Sequence, residues 1–155
     1  MKKCDKNLNF DTFNKKFSTN EKCLEKIYKT RWKYGFRCPR CNYNEAWEIA
    51  PYKYTCRNCG YQTSVTAGTI FHRTHLPMTK WFQAIYYISI RRERATAVEL
   101  QALLGIGSNK TALSLLSKIK PMAYCINEKR LTWPNNLLKG IVEIYESEII
   151  FDNKF

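Results

Sequence analysis

The run Cys38-Pro39-Arg40-Cys41, then fourteen residues, then Cys56-Arg57-Asn58-Cys59-Gly60 constrains this chain more than any other feature. Each cysteine pair sits on a short knuckle that can turn both sulfurs toward one point, and four thiolates close a tetrahedral metal shell. Zinc suits such a shell, because it has no geometric preference that tetrahedral sulfur would frustrate. A closed set leaves no position for a substrate, so Cys38, Cys41, Cys56 and Cys59 are expected to hold structural zinc. The spacer is one residue shorter than the usual window for such pairs, and Trp47–Ile49 and Tyr52–Tyr54 are read as two short strands filling it. A pair of disulfides and a rubredoxin-like iron site are the alternatives.

A chain of 155 residues makes one ordinary domain or two to three small ones, and a core assembled from short pieces needs help. Zinc supplies it: binding to four cysteines contributes on the order of 10 kcal/mol to folding. Cys4, Cys23 and Cys125 are left over, and no apolar signal segment precedes them, which places the protein in a reducing, intracellular compartment. No apolar run reaches membrane-spanning length, so no membrane partner is expected. The net charge is +13, unevenly spread, with +16 over residues 1–140 and −3 over residues 141–155. A field of that sign attracts phosphates through counterion release. A lysine-rich composition without a nucleic-acid partner would carry the same charge, so the argument needs a motif beside it.

Residues 1–17 show no clear period, and the extreme N-terminus is expected to be loose. Ser18-Thr19-Asn20-Glu21 reads as a capping box opening a helix whose stripe Leu24, Ile27, Tyr28 and Trp32 packs on the ribbon, with Gly35 ending the segment. Tyr61–Thr66 alternates as a third strand, and Gly68 breaks out of it. His72 and His75 lie on a basic loop and are not assigned to the metal, whose shell is already complete.

Pro77 and Thr79 open the next helix, with Trp81, Phe82, Ile85, Tyr86 and Ile88 apolar and Arg91, Arg92 and Arg94 at its end. Thr96-Ala97-Val98-Glu99 is a second capping box, Leu100, Leu103 and Leu104 form the inward stripe, and Gly105 is the stop. After the turn Ile106-Gly107-Ser108, Ser108 caps a third helix with Ala112, Leu115, Leu116 and Ile119 inward. Asn109, Lys110, Thr111, Ser114 and Lys118 are left on the outer face. Helix, short glycine-containing turn, helix is the helix-turn-helix plan, whose second member enters the major groove. Lys110 and Lys118 suit phosphate or guanine, and Asn109, Thr111 and Ser114 suit shorter polar contacts, with Arg91, Arg92 and Arg94 as further basic contacts. A plain three-helix bundle with a solvated polar face has the same pattern.

Arg31-Trp32 through Gly35, Cys38-Pro39-x-Cys41, Tyr54-x-Cys56-x-x-Cys59-Gly60, Ala67-Gly68-Thr69-Ile70-Phe71-His72, Trp81, Ala84-Ile85 and Lys110-Thr111-Ala112 together resemble the zinc-ribbon DDE transposases of the insertion-sequence group that includes Merlin elements, over about residues 10–147. The resemblance implies that ribbon and helix-turn-helix recognise terminal inverted repeats of double-stranded DNA, ahead of an RNase H-like domain that cuts and joins DNA with divalent metal. Gly140–Glu146 looks like the first catalytic strand of that domain, but Tyr145 stands where the family carries its first metal-binding aspartate. A phenol supplies neither the charge nor the reach that two-metal phosphoryl transfer needs. Pro121 is a second departure, expected to kink or end the third helix.

The expected architecture is therefore α+β. It comprises a helical segment (1–34), a Cys4 zinc ribbon with a small three-stranded antiparallel sheet (35–72), a helix-turn-helix module of three helices (76–125) and one orphan strand (138–155). The expected function is DNA binding by the recognition part of a transposase, without strand-transfer chemistry of its own, acting as a homo-oligomer or in complex with a full-length transposase. The rivals are a zinc-ribbon interaction module of the transcription machinery, binding protein or RNA, and an enzyme completed by a separately encoded partner.

Overall fold

The computed structural model describes residues 10–127, with Arg92 and residues 122–127 in backbone only. The expected strand at 138–155, Tyr145 included, lies outside the described residues. The fold is α+β: helices α1 (Phe10–Lys16) and α2 (Asn20–Arg31), strands β1 (Ala46–Ala50), β2 (Lys53–Cys56) and β3 (Gln62–Ser64), then helices α3 (Met78–Arg91), α4 (Ala97–Leu104) and α5 (Asn109–Asn127). The strands form an antiparallel meander in the order β1-β2-β3, with Trp47 opposite Thr55 and Thr55 opposite Gln62.

Helix α1 forms in a stretch where the sequence reading finds no clear period; the extreme N-terminus lies outside the described residues. Phe10, Phe13 and Phe17 recur at three- and four-residue spacing and close on α3: the Phe13 ring lies 4.7 Å from Tyr86, and Phe17 lies 4.9 Å from Phe82. Seven residues are too few for a stable isolated helix, so this one forms because it packs. The cap of α2 is also shifted. Thr19, not Ser18, is the N-cap, its hydroxyl accepting from the Lys22 amide, so Glu21 falls at the second helical position and no capping box closes.

Helix α2 joins the two halves of the molecule. Trp32 and Tyr28 meet Tyr54 of β2 at 5.2 and 5.8 Å, as the sequence stripe anticipated. Arg31 donates from one nitrogen to the carbonyls of Ser64 and Val65, both at 2.9 Å, gripping the end of β3. At its other end, Asn20 Oδ1 accepts from the Met78 amide at 2.8 Å and so caps α3 from a distance of 58 residues in sequence. Cys23 and Ile27 are fully buried in a core that runs without interruption from Phe13 to Ile119.

The helical module follows its expected order with three corrections. Thr96 caps α4 by accepting from the Glu99 amide, but Glu99 does not reach back; its carboxylate takes the Tyr87 hydroxyl of α3. Leu103 is exposed, and the inward stripe of α4 consists of Leu100 and Leu104. Helix α5 passes through Pro121 and continues to Asn127, so Pro121 does not end it. Gly105 stops α4 in the left-handed region (φ 59°), where a side chain would be strained.

Candidate metal centre and nucleic-acid interface

The two cysteine knuckles are the same structure repeated eighteen residues apart. The Cys38 amide donates to Tyr43 O and the Cys56 amide to Tyr61 O, both at 2.9 Å. The Asn42 amide returns to Cys38 O and the Gly60 amide to Cys56 O, at 2.9 and 3.0 Å. Asn42 and Gly60 occupy the same left-handed position, at φ 61° and 66°. Asparagine and glycine are the residues that tolerate it.

These turns aim four sulfurs at one point. All four Sγ atoms lie within 4.8 Å of one another, and two pairs meet across the knuckles, Cys38 to Cys59 at 3.7 Å and Cys41 to Cys56 at 3.5 Å. A tetrahedral shell with Zn–S bonds of about 2.3 Å has edges of about 3.8 Å, so the cage fits zinc. Cys38 and Cys56 are buried, which suits a structural site. The electrostatics favour one thiolate before the metal binds. The Tyr43 backbone amide, helped by Asn58 and the neighbouring thiols, holds Cys41 down to about 6. At Cys59 the Tyr61 amide also lowers the value, yet burial and the three surrounding sulfurs push it up to about 12. A divalent cation removes that mutual penalty and lets all four sulfurs ionise. His72 and His75 are exposed on the loop that follows the ribbon.

In the helical module, Ala112, Leu115, Leu116 and Ile119 turn inward, and Asn109, Lys110, Ser114 and Lys118 are exposed on α5, Lys110 and Ser114 facing away from that stripe. Thr111 is half-buried. The basic residues at the end of α3 are placed apart from the start of α5. Arg92–Arg94 form a single 3-10 turn beside the far half of that helix, where Lys120 donates to the carbonyls of Glu93 and Ala95, both at 3.2 Å. Arg91 and Arg94 are exposed. Asn109 and Lys118 are nine residues apart, or about 13 Å along the helix. The nominated set is therefore an extended strip with its arginines near one end, not a single cluster.

Two lysines that sequence reasoning passed over have structural work. Lys80 donates to Leu104 O at the end of α4, and Lys120 makes the two bonds just described. Both supply positive charge to unpaired carbonyls, and nothing in the spacing distinguishes them from solvent-facing lysines.

Among the described residues, no helix is long and apolar enough to cross a membrane. Residues 18–62, which span α2 and the ribbon as far as β3, match the family model described as the transposase zinc-ribbon domain, of the IS1595 type. A protein of Halobacterium salinarum, named as an "Uncharacterized protein in transposable element ISH50", is 26% identical over 76 residues, covering 46% of this chain. The match takes in 26% of that relative's length, so the chain spans about a quarter of it. No solved structure matches. With four sulfurs in a zinc-sized cage inside the matched region, residues 18–62 are similar to the zinc-ribbon domain of transposases, and the cofactor of that region is structural zinc.

Proposed function

We propose that this chain binds double-stranded DNA in a sequence-directed manner as the recognition part of a transposase, with terminal inverted repeats as its sites. The observation that carries the reading is the exposed polar strip of α5, which stands behind a tight turn, with Lys110 and Ser114 facing away from that helix's buried stripe and Asn109 and Lys118 on its flanks. A helix so held presents side chains to a major groove while its back is fixed to α3 and α4. Lys110 and Lys118 supply phosphate or guanine contacts, and Asn109, Thr111 and Ser114 contact base edges. Arg91 and Arg94 supply backbone contacts farther along. The +13 charge supplies the non-specific attraction, and the similarity to a transposase zinc ribbon supplies the class of site. The role is binding, with no cleavage or strand transfer by these residues, whether alone, as a homo-oligomer or beside a full-length transposase.

The test is a salt titration of zinc-loaded protein against duplexes from the sequence flanking its own gene, beside a scrambled duplex and a chelator-treated control. Zinc-dependent preference for one flank supports the reading. Equal, weak and steeply salt-dependent binding to every duplex refutes sequence direction. A second reading, a ribbon that docks on another protein, is favoured by Trp47 and Ile49, both more than half exposed on β1. Loss of partner binding on Trp47→Ala with DNA binding intact would support it.

A further inference from the structure

Among the described residues, three other than glycine adopt positive φ: Asn42 at 61°, Tyr52 at 62° and Arg73 at 54°. The first two have local explanations. Asn42 closes a cysteine knuckle. Tyr52 turns between β1 and β2, its amide held by Glu48 Oε1 at 3.2 Å and its hydroxyl donating to Glu21 O at 3.3 Å. Arg73 has none. It is exposed and makes no hydrogen bond or ion pair among the described residues. Glycine would adopt this backbone freely, whereas a residue with a Cβ is strained in it.

The strained residue sits on a rigid support. Phe71 is buried with its ring 5.2 Å from Trp81 in edge contact. Thr74 Oγ1 accepts from Trp81 Nε1 at 2.8 Å and from the Leu76 amide at 3.1 Å. Upstream, Thr69 Oγ1 donates to Thr66 O at 2.7 Å and accepts from the Phe71 amide at 3.1 Å. His72, Arg73 and His75 are left exposed on this knuckle. Trp81 carries a further neighbour: Lys118 of the α5 strip holds its ammonium 5.9 Å from the ring centroid. One indole is therefore the neighbour of both the knuckle, through Thr74, and Lys118 on the flank of α5.

We propose that the knuckle 71–75 is a third DNA-contacting element, in which Arg73 binds a backbone phosphate of the same duplex that α5 reads, with His72 and His75 flanking that contact. The inference rests on the DNA-binding reading. An arginine on a braced loop loses less freedom on binding than one on a loose loop, and the knuckle and Lys118 of α5 share Trp81 as a neighbour.

The experiment compares wild type, Arg73→Gly, Arg73→Lys and Lys110→Ala, all zinc-loaded, on a duplex enriched from a random-sequence library and on its scrambled counterpart. Glycine relieves the backbone, so Arg73→Gly is expected to melt no lower than wild type while binding about five- to tenfold more weakly, with a salt dependence shallower by about one counterion. Sequence preference should be unchanged, and Arg73→Lys should recover most of the affinity. Wild-type affinity and salt slope in Arg73→Gly, with Lys110→Ala impaired, would overturn this inference alone. A lower melting temperature in Arg73→Gly would assign the arginine a structural role and overturn it as well. A folded wild type that binds no duplex would overturn both readings.

Discussion

The indole N–H of Trp81 donates to Oγ1 of Thr74 at 2.8 Å, fastening the connector that leaves the ribbon to the first helix of the three-helix module. Trp81 is almost wholly buried, so the bond cannot be replaced by water without disturbing the core. Thr74→Val should lower stability by about 1–3 kcal/mol, the cost of a buried donor left without a partner, whereas Thr74→Ser should stay near wild type. Urea denaturation of the three zinc-loaded proteins checks this.

The metal cage should behave as one unit. Cys56→Ser, or treatment with a strong chelator, is expected to unfold the ribbon and cost on the order of 10 kcal/mol of folding free energy. Native metal analysis should find one zinc per chain, and removal should erase protection of the Cys38 and Cys56 amides against hydrogen exchange. Retention of that protection without metal would show that the knuckles are held by packing alone.

Asn42 and Gly60 share a backbone position but not a tolerance for change. Gly60→Ala places a Cβ in the left-handed region and should destabilise the zinc-loaded protein by about 1–2 kcal/mol, while Asn42→Gly should be neutral or slightly stabilising. Competition for zinc against a chromophoric chelator should give the same ranking.

Cys23 is fully buried on α2, and burial, with a smaller contribution from Glu21, pushes its thiol from the usual 9.0 up to about 12. A native protein at pH 8 should therefore leave Cys23 unlabelled by a thiol reagent that modifies it at once after denaturation. The folded value is raised, so the folded state retains the proton longer than the unfolded chain does. Its stabilising contribution is complete below about pH 9 and is lost as pH rises toward about 12. Replacement by alanine should flatten that alkaline decline.

Lys80 and Lys110 should separate structure from surface. Lys80 bonds the last carbonyl of α4, so Lys80→Met is expected to lower stability by about 1 kcal/mol or more. Lys110 is exposed at the start of α5, and Lys110→Ala should change stability by no more than about 0.5 kcal/mol. Thermal melts of the two variants decide the assignment.

The metal site and the order of the helical module were legible because their signals are local. Two pairs of cysteines with two residues between them specify two knuckles by spacing alone. Thr96, Gly105 and the stripe Ala112, Leu115, Leu116, Ile119 mark a helix start, a helix stop and a buried face within a few residues each. Local patterns misled where two short-range choices competed. Ser18 and Thr19 are both capable caps, and the choice fell to the residue from which α2 can send Asn20 to α3 and Arg31 to β3. Glu99 has a partner in the Tyr87 hydroxyl that a capping box cannot foresee.

By itself, the sequence determined a Cys4 knuckle pair, a strongly cationic chain and a helix–turn–helix succession, since spacing, charge and capping are properties of neighbours along the chain. Only the tertiary structure decided that α1 is a helix, that Lys80 and Lys120 serve carbonyls, and that the connector is locked to α3 through Thr74 and Trp81. Those outcomes depend on which surfaces meet across tens of residues, and burial against a distant partner outweighs what a seven-residue segment or a lone lysine prefers in isolation.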